Sequence, residues 1–343
     1  MKRLRVGLNG FGRIGRDFTR IALKRNSFDL VLVNTRKPQN DLLAYLLQYD
    51  SVYRKFESEV KAETDGLSVN GKKIATSQAD DPGLIPWDVH QVDVVVDATG
   101  AFTKKEELKK HLRGTVKKVV LTAPSKDEET PHVVLGVNDS TFDFQSCDVL
   151  SNCSCTTNCA SPLFKVLDDN FKIVSGFLTT AHAYTSSQEL LDDPAKSKDR
   201  SRAAGLNLVP STTGAATAVV KTLPQLKGKI DGMSLRIPVP TVSFADISAT
   251  VEKSTTVEEI NNAFKSAAET TMKGILAFET EVLVSSDYVG SPFSAIFDAN
   301  YTKVINGLPA QAGNFVKVFG WYDNEWGYST RLVDLVEKLA NYF

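Results

Sequence analysis

The sequence predicts an α/β Rossmann-type doubly wound domain followed by an α+β catalytic domain with a mostly antiparallel sheet. Three observations carry this expectation. Near-continuous apolar runs at 29–34, 92–97, 117–122 and 147–151 alternate with helical patterns at 13–26, 40–49 and 104–112, as parallel strands covered on both faces do. A glycine fingerprint, Gly10-Phe11-Gly12-Arg13-Ile14-Gly15, stands between the first strand and the first helix. Beyond residue 154 the pattern changes to a helix, then long strands at 173–183, 230–239 and 243–252.

At 343 residues, 42% of them hydrophobic, the chain is long for one core and rich enough in apolar residues to build two. The expected division is a dinucleotide-binding domain over 1–154, completed by a C-terminal helix within 325–343, and a catalytic domain over 155–324. The net charge of −1, with both signs interspersed, gives no electrostatic reason to bind nucleic acid or anionic lipid. No apolar run approaches the ~20 residues that span a bilayer. The first strand begins at Leu4, which leaves no room for a signal peptide, so the expected compartment is the cytoplasm.

Along the chain, Leu4-Arg5-Val6-Gly7-Leu8-Asn9 reads as the first strand. Gly10 permits a tight turn, Gly12 lets a pyrophosphate approach the backbone, and Gly15 lets helix and strand pack closely. The helix start then supplies partial positive charge for phosphates. An insert of strand character around 56–76 carries the turn signal Asn70-Gly71. The second strand ends at Asn34, and where an NAD enzyme wants a carboxylate for the ribose 2′-hydroxyl the chain has Thr35, followed by Arg36 and Lys37. Two cations in place of an acid favour NADP over NAD; the alternative is a solvated turn before Pro38.

All four cysteines, Cys147, Cys153, Cys155 and Cys159, lie close together. Their spacing does not form the paired knuckles of structural zinc, and a reducing compartment disfavours a disulfide, so no metal is expected. Cys155 opens a predicted helix, where backbone N–H groups lower a thiol's pKa and prime it as a nucleophile. A nucleotide site, a thiol and a downstream histidine, His182, together suggest aldehyde oxidation through a covalent thioester. Ser186 to Pro210 has little periodicity and a run of charges, which suits a functional or interface loop as well as a solvated one. Thr256 and Glu259 make a capping box, and Arg331 to Phe343 repeats apolar residues at helical spacing.

Five separated motifs resemble the phosphorylating glyceraldehyde-3-phosphate dehydrogenases. They are Asn9 through Arg16, Ser154-Cys155-Thr156-Thr157-Asn158, His182-Ala183-Tyr184-Thr185, Pro210 through Ala216, and Trp321 through Tyr328. The resemblance implies a homotetramer using NADP or NAD, with a phosphorylated aldehyde and inorganic phosphate as substrates. Cys155 is then the nucleophile and His182 its acid–base partner. Thr185 and Arg236 match the substrate-phosphate site, while Ser154, Thr156, Thr213 and Gly214 match the inorganic-phosphate site, with Arg202 close to both. Asn324 resembles the residue holding the nicotinamide carboxamide, supported by Tyr328. Thr99, Gly100 and Thr122 complete the implied cofactor set of Gly10, Phe11, Gly12, Arg13, Ile14, Gly15, Asn34, Thr35 and Arg36.

Some residues depart from the family pattern. Cys153 replaces the usual alanine two residues before the nucleophile. Arg200-Ser201-Arg202-Ala203-Ala204 is similar to the NADP-using branch, whereas Pro194 and Asp193 are not, and Asp193 would repel a 2′-phosphate. Two other functions fit the same fold, erythrose-4-phosphate dehydrogenase and a non-catalytic interaction or RNA-binding protein. Thr185 opposes the first, and intact Cys155, His182, Arg236 and Asn324 oppose the second.

Overall fold

The computed structural model describes residues 3–37, 39–305 and 312–343, so Pro38 lies outside the described residues. The chain divides into two compact units. One comprises Met1–Val133, Thr141–Cys153 and Ser329–Phe343; the other comprises Val134–Ser140 and Ser154–Tyr328.

The first unit is built on one sheet. Its strands run in the order Val149–Ser151, Lys118–Leu121, Val94–Asp97, Arg5–Asn9, Asp29–Asn34, Lys72–Ser77, Gly66–Val69 and Val60–Glu63. The first six are parallel, and the last two join antiparallel. Strand Val94–Asp97 is buried throughout, which explains its unbroken valines: both faces are covered. The chain leaves Arg5–Asn9 toward one side of the sheet and later returns on the other, against Val94–Asp97. The strand order therefore reverses at the carboxyl ends of these two strands, where doubly wound sheets bind ligands. The Asn70-Gly71 signal is realised as a two-residue hairpin, with Val69 opposite Lys72 and both turn residues at positive φ (48° and 80°).

A buried polar network lies below that reversal. The indole N–H of Trp87 donates to Nδ1 of His111 at 3.1 Å, so the ring proton sits on Nε2 and is donated to Asp97, also at 3.1 Å. Asp97 further accepts from Asn9 (2.8 Å) and from the backbone and hydroxyl of Thr99 (3.1 and 2.7 Å). Trp87, His111 and Asp97 are all fully buried.

The second unit's main sheet has the order Val209–Thr212, Ile230–Ile237, Ile173–Ala183, Ser243–Thr255, Gly313–Tyr322, Ala295–Asp298 and Leu276–Glu279, with Lys303–Ile305 pairing onto Gly313–Tyr322. Most pairs are antiparallel; Ile173–Ala183 with Ile230–Ile237 and Leu276–Glu279 with Ala295–Asp298 are parallel. The helix Cys155–Phe171 contributes thirteen buried residues to this unit.

Local differences from the sequence expectation have simple causes. The helix expected at 104–112 is only Lys105–Lys109, because the chain then tightens into short-range turns around His111. The C-terminal helix begins earlier than its apolar repeat, at Trp326, and runs to Leu339. The capping box forms as read, with the Thr256 hydroxyl accepting from the Glu259 amide (3.1 Å) and the Glu259 carboxylate accepting from the Thr256 amide (2.9 Å).

Substituting His111→Ala leaves a buried indole N–H and a buried carboxylate without their partner. It is expected to cost at least about 2 kcal/mol of stability. Urea unfolding followed by tryptophan fluorescence checks this; an unchanged midpoint contradicts it.

Candidate active site

The second unit holds a compact cluster around the thiol. Ser154 caps the helix Cys155–Phe171: its backbone is extended (φ −100°) and its Oγ accepts from the Thr157 amide at 3.1 Å. Cys155 is therefore the first helical residue. His182 lies near the end of strand Ile173–Ala183, and the parallel register places Arg236 directly opposite it. Cys155 Sγ is 3.4 Å from His182 Nε2, and Arg236 lies 2.8 Å from the other ring nitrogen.

Tyr322, at the end of its strand, braces this cluster. Its hydroxyl is 2.9 Å from both Thr156 Oγ1 and Thr180 Oγ1, and its ring stands edge-on to His182. Thr180 shares the face of His182 because strand side chains alternate. Behind the histidine, Ser243 accepts from the Ala183 amide (3.0 Å) and donates to Asn324 Oδ1 (2.9 Å). This orients the Asn324 amide so that its N–H groups face away from Ser243. The sequence reading assigned no role to Tyr322, Thr180 or Ser243; only strand register brings them here.

The electrostatics correct one expectation. A thiol at a helix start was expected to titrate low. Burial instead raises the Cys155 thiol, although Arg236 and the backbone amides of the first turn pull the other way. Burial, followed by the charge of Arg236, lowers the His182 imidazole to about 3. Burial thus disfavours the charged form of both partners. Burial also raises Cys159 well above the ordinary thiol range and takes Cys147 up to about 11, and neither has such a partner.

The expected anion-binding residues are only partly brought together. Thr185 Oγ1 is 2.8 Å from Ser187 Oγ; Arg200 reaches Ser187 (3.4 Å) and Ser211 (3.1 Å). Arg200 also adds positive potential at Arg236 and His182. Arg202, the residue expected beside both sites, instead faces Asp192 at 2.8 Å with both side chains exposed. The structure thus sets Arg200 rather than Arg202 beside the cluster, and a loop without periodicity gave no means of telling them apart. Thr213 Oγ1 accepts from the Ala215 amide (3.1 Å), and Gly214 caps the helix Ala215–Thr222.

The first unit contains a separate cleft of about 220 Å³ at the carboxyl ends of its strands. It is lined by Asn9, Gly10, Gly12, Asn34, Thr35, Arg36, Ala79, Asp80, Ala98, Thr99, Ala101 and Phe102. Gly10 has φ +99°, and a Cβ there would lie 2.8 Å from the Ala98 backbone. A Cβ on Gly15 would lie 2.3 Å from the Gly10 oxygen, whereas one on Gly12 would meet nothing within 4 Å. Gly12 also caps the helix Arg13–Arg25 without any side-chain hydrogen bond. Open space beside uncapped helix amides fits a pyrophosphate. Asn34 is committed to holding the cleft wall, bonding Asn9 (2.8 Å) and the Ala79 carbonyl (2.9 Å). Arg36 is paired with Asp80 at 3.1 Å. Asp80 lies on the loop that follows the neighbouring strand Lys72–Ser77 and lines the same cleft.

Among the described residues no group of three or more His, Cys, Asp or Glu is placed to hold a metal, and no helix is long and apolar enough to cross a membrane.

Residues 4–105 match the family profile for the NAD binding domain of glyceraldehyde 3-phosphate dehydrogenase, and residues 154–324 match that for its C-terminal domain. The chain is 48% identical over 338 residues to glyceraldehyde-3-phosphate dehydrogenase of Geobacillus stearothermophilus, covering 98% of each. It is 47% identical over 339 residues to glyceraldehyde-3-phosphate dehydrogenase 2 of Streptomyces avermitilis, covering 98% of this chain and 99% of that one. Against the enzyme of Sclerotinia sclerotiorum it is 45% identical over 337 residues, covering 98% and 97%.

A raised thiol and a depressed imidazole fix the expected pH response. The rate of Cys155 alkylation by iodoacetamide in the ligand-free protein should keep rising through and above pH ~8.5, the ordinary thiol value. A plateau already reached below pH 7, the mark of a thiolate–imidazolium pair, contradicts this. Mass spectrometry of the labelled peptides separates Cys155 from the other cysteines.

Proposed function

The chain belongs to the glyceraldehyde 3-phosphate dehydrogenase family, and from that premise we propose how its own residues carry out the phosphorylating oxidation of the aldehyde. The reaction class is oxidoreduction with a nicotinamide dinucleotide; when bound, the nicotinamide accepts the hydride. The single observation that carries the assignment of roles is the line Cys155, His182, Arg236, with Nε2 at 3.4 Å from the thiol and a guanidinium beyond the ring.

In this reading, His182 Nε2 takes the Cys155 proton as sulfur attacks the aldehyde carbon. Nε2 passes that proton to the new oxyanion, giving the hemithioacetal hydroxyl, and takes it back as the hydride leaves, which gives a thioester on Cys155. Inorganic phosphate attacks the thioester carbonyl, the C–S bond breaks, and 1,3-bisphosphoglycerate departs. The first-turn amides at Cys155 are suited to the oxyanion of both addition steps.

Arg236 and Thr185 serve the substrate's phosphate, and the position of Arg200 adds it to that group. Ser154, Thr156, Thr213 and Gly214 serve the attacking phosphate; Arg202 joins either site only on leaving Asp192. Asn324, its oxygen held by Ser243, offers N–H donors for a carboxamide, with Tyr328 in support. The fingerprint glycines and Thr99, Gly100 and Thr122 complete the nucleotide site. NADP is favoured through Arg36, which must exchange Asp80 for a 2′-phosphate. In the segment 186–208, Leu190, Leu191, Leu206 and Leu208 are 83%, 72%, 81% and 69% exposed, which supports a homotetramer that covers them. The cytoplasm is the expected compartment.

Initial rates with glyceraldehyde 3-phosphate test the reading. Turnover should require phosphate, prefer this substrate to erythrose 4-phosphate and fall about 10²–10⁴-fold in His182→Asn. Asp80→Asn should raise kcat/KM for NADP relative to NAD. Phosphate-independent turnover or a preference for the longer aldehyde contradicts the mechanism; an unchanged cofactor ratio removes Arg36 from it.

A further inference from the structure

The hydroxyl of Ser243 stands between a strand end and Asn324. The antiparallel ladder of Ile173–Ala183 with Ser243–Thr255 ends at Ala181 opposite Phe244. Just beyond it, the Ala183 amide donates to Ser243 Oγ at 3.0 Å, and that hydroxyl donates to Asn324 Oδ1 at 2.9 Å. Ser243 is 1% exposed and Asn324 4%. Among the described residues Asn324 Nδ2 has no hydrogen-bond partner, so a buried amide keeps its donors unused.

A serine hydroxyl has one proton and two lone pairs. The Ala183 amide can only donate, so it occupies one lone pair. With the Asn324 oxygen toward Ser243, the hydroxyl proton has an acceptor and every group between strand and amide is satisfied. With the amide turned over, Nδ2 would donate to the second lone pair, and the hydroxyl proton would be buried without an acceptor. Leaving a buried donor unmade is the costlier state, so one orientation prevails. The main chain at Asn324 is fixed separately. Its neighbour Asp323 accepts from the amides of Gly290 (2.8 Å), Glu325 and Trp326 (3.0 Å each) and from Thr241 Oγ1 (3.0 Å). Asp323 thus sets where Asn324 sits, and Ser243 sets which end of its amide is left for a ligand.

We propose that Ser243 is a positioning residue that locks the polarity of the Asn324 amide, so that this seat takes the carbonyl oxygen of a carboxamide and rejects its NH2. Polarity passes in one direction, from the Ala183 N–H through the Ser243 hydroxyl and the Asn324 carbonyl to the unused Nδ2 donors. Those donors can be satisfied only by an acceptor. The two ends of a carboxamide have nearly the same shape, so shape alone would not tell them apart. A fixed donor does, because an amine in its place would set donors against donors. Ala183 directly follows His182, so the strand that carries the imidazole also sets which way a nicotinamide carboxamide can face. The inference rests on the reading of Asn324 as the residue that meets that carboxamide.

The test is calorimetric titration of the full-length protein with NAD and three relatives of it. The 3-acetylpyridine analogue keeps the carbonyl and replaces NH2 by a methyl group, the 3-aminopyridine analogue has the amine without the carbonyl, and adenosine diphosphoribose has no pyridine ring. The wild-type protein should bind the acetylpyridine analogue about as tightly as NAD, and the aminopyridine analogue roughly 10-fold more weakly. In Ser243→Ala the amide is free to turn its oxygen to the amine. The gap should then close to within about 2-fold, with adenosine diphosphoribose bound as by the wild-type protein. An unchanged gap, or none in the wild-type protein, overturns the lock. Equal weakening of every compound, adenosine diphosphoribose included, marks a purely structural role and overturns it too. Asn324→Ala separates the lock from the reading beneath it. A gap that closes there but persists in Ser243→Ala leaves Asn324 at the carboxamide, whereas a gap that persists in both removes Asn324 from the cofactor site.

Discussion

The parallel pairing of strands Ile173–Ala183 and Ile230–Ile237 is the constraint on which the site depends, because it sets His182 against Arg236. Sliding one of these strands by one residue would turn its side chain to the other face of the sheet and part the pair. The Ser154 cap fixes where the helix begins, and so which residue presents its thiol to the ring. Tyr322 ties the two together by bridging Thr156 on the helix and Thr180 on the strand. None of these restraints depends on the loop 186–208, so the thiol–imidazole pair is held by regular structure alone.

Burial decides the resting chemistry. Protonating an imidazole whose pKa falls from 6.5 to about 3 costs on the order of 5 kcal/mol more than in water. Desolvation raises the thiol as well, against the opposing pull of Arg236 and the helix amides. Burial thus opposes charge on both groups, while Arg236 and the first-turn amides favour negative charge on the sulfur.

Much of the first unit was legible because its signals are local. The fingerprint, the Asn70-Gly71 hairpin and the unbroken valines of Val94–Asp97 each express a short-range rule, and each formed as read. Cys155 and His182 were also legible, as a helix start and a strand end. What escaped is produced by pairing over long sequence distance. Asp80 reaches Arg36 because strand Lys72–Ser77 pairs with Asp29–Asn34. Ser243 and Tyr322 reach the cluster through register, which no local pattern encodes. The helix start at Cys155 is visible in the sequence, whereas the desolvation that raises its thiol is not. Arg200 and Arg202 differ only in the path of an aperiodic loop.

The covalent intermediate on Cys155 is the central claim, and it is tested most directly by mixing the protein with the dinucleotide and glyceraldehyde 3-phosphate in phosphate-free buffer. Rapid quenching and intact-mass analysis should show a phosphoglyceroyl adduct on Cys155 that accumulates with a stoichiometric burst of reduced cofactor and disappears when phosphate is added. A burst without any adduct, or an adduct on Cys147, Cys153 or Cys159 instead, would contradict the account.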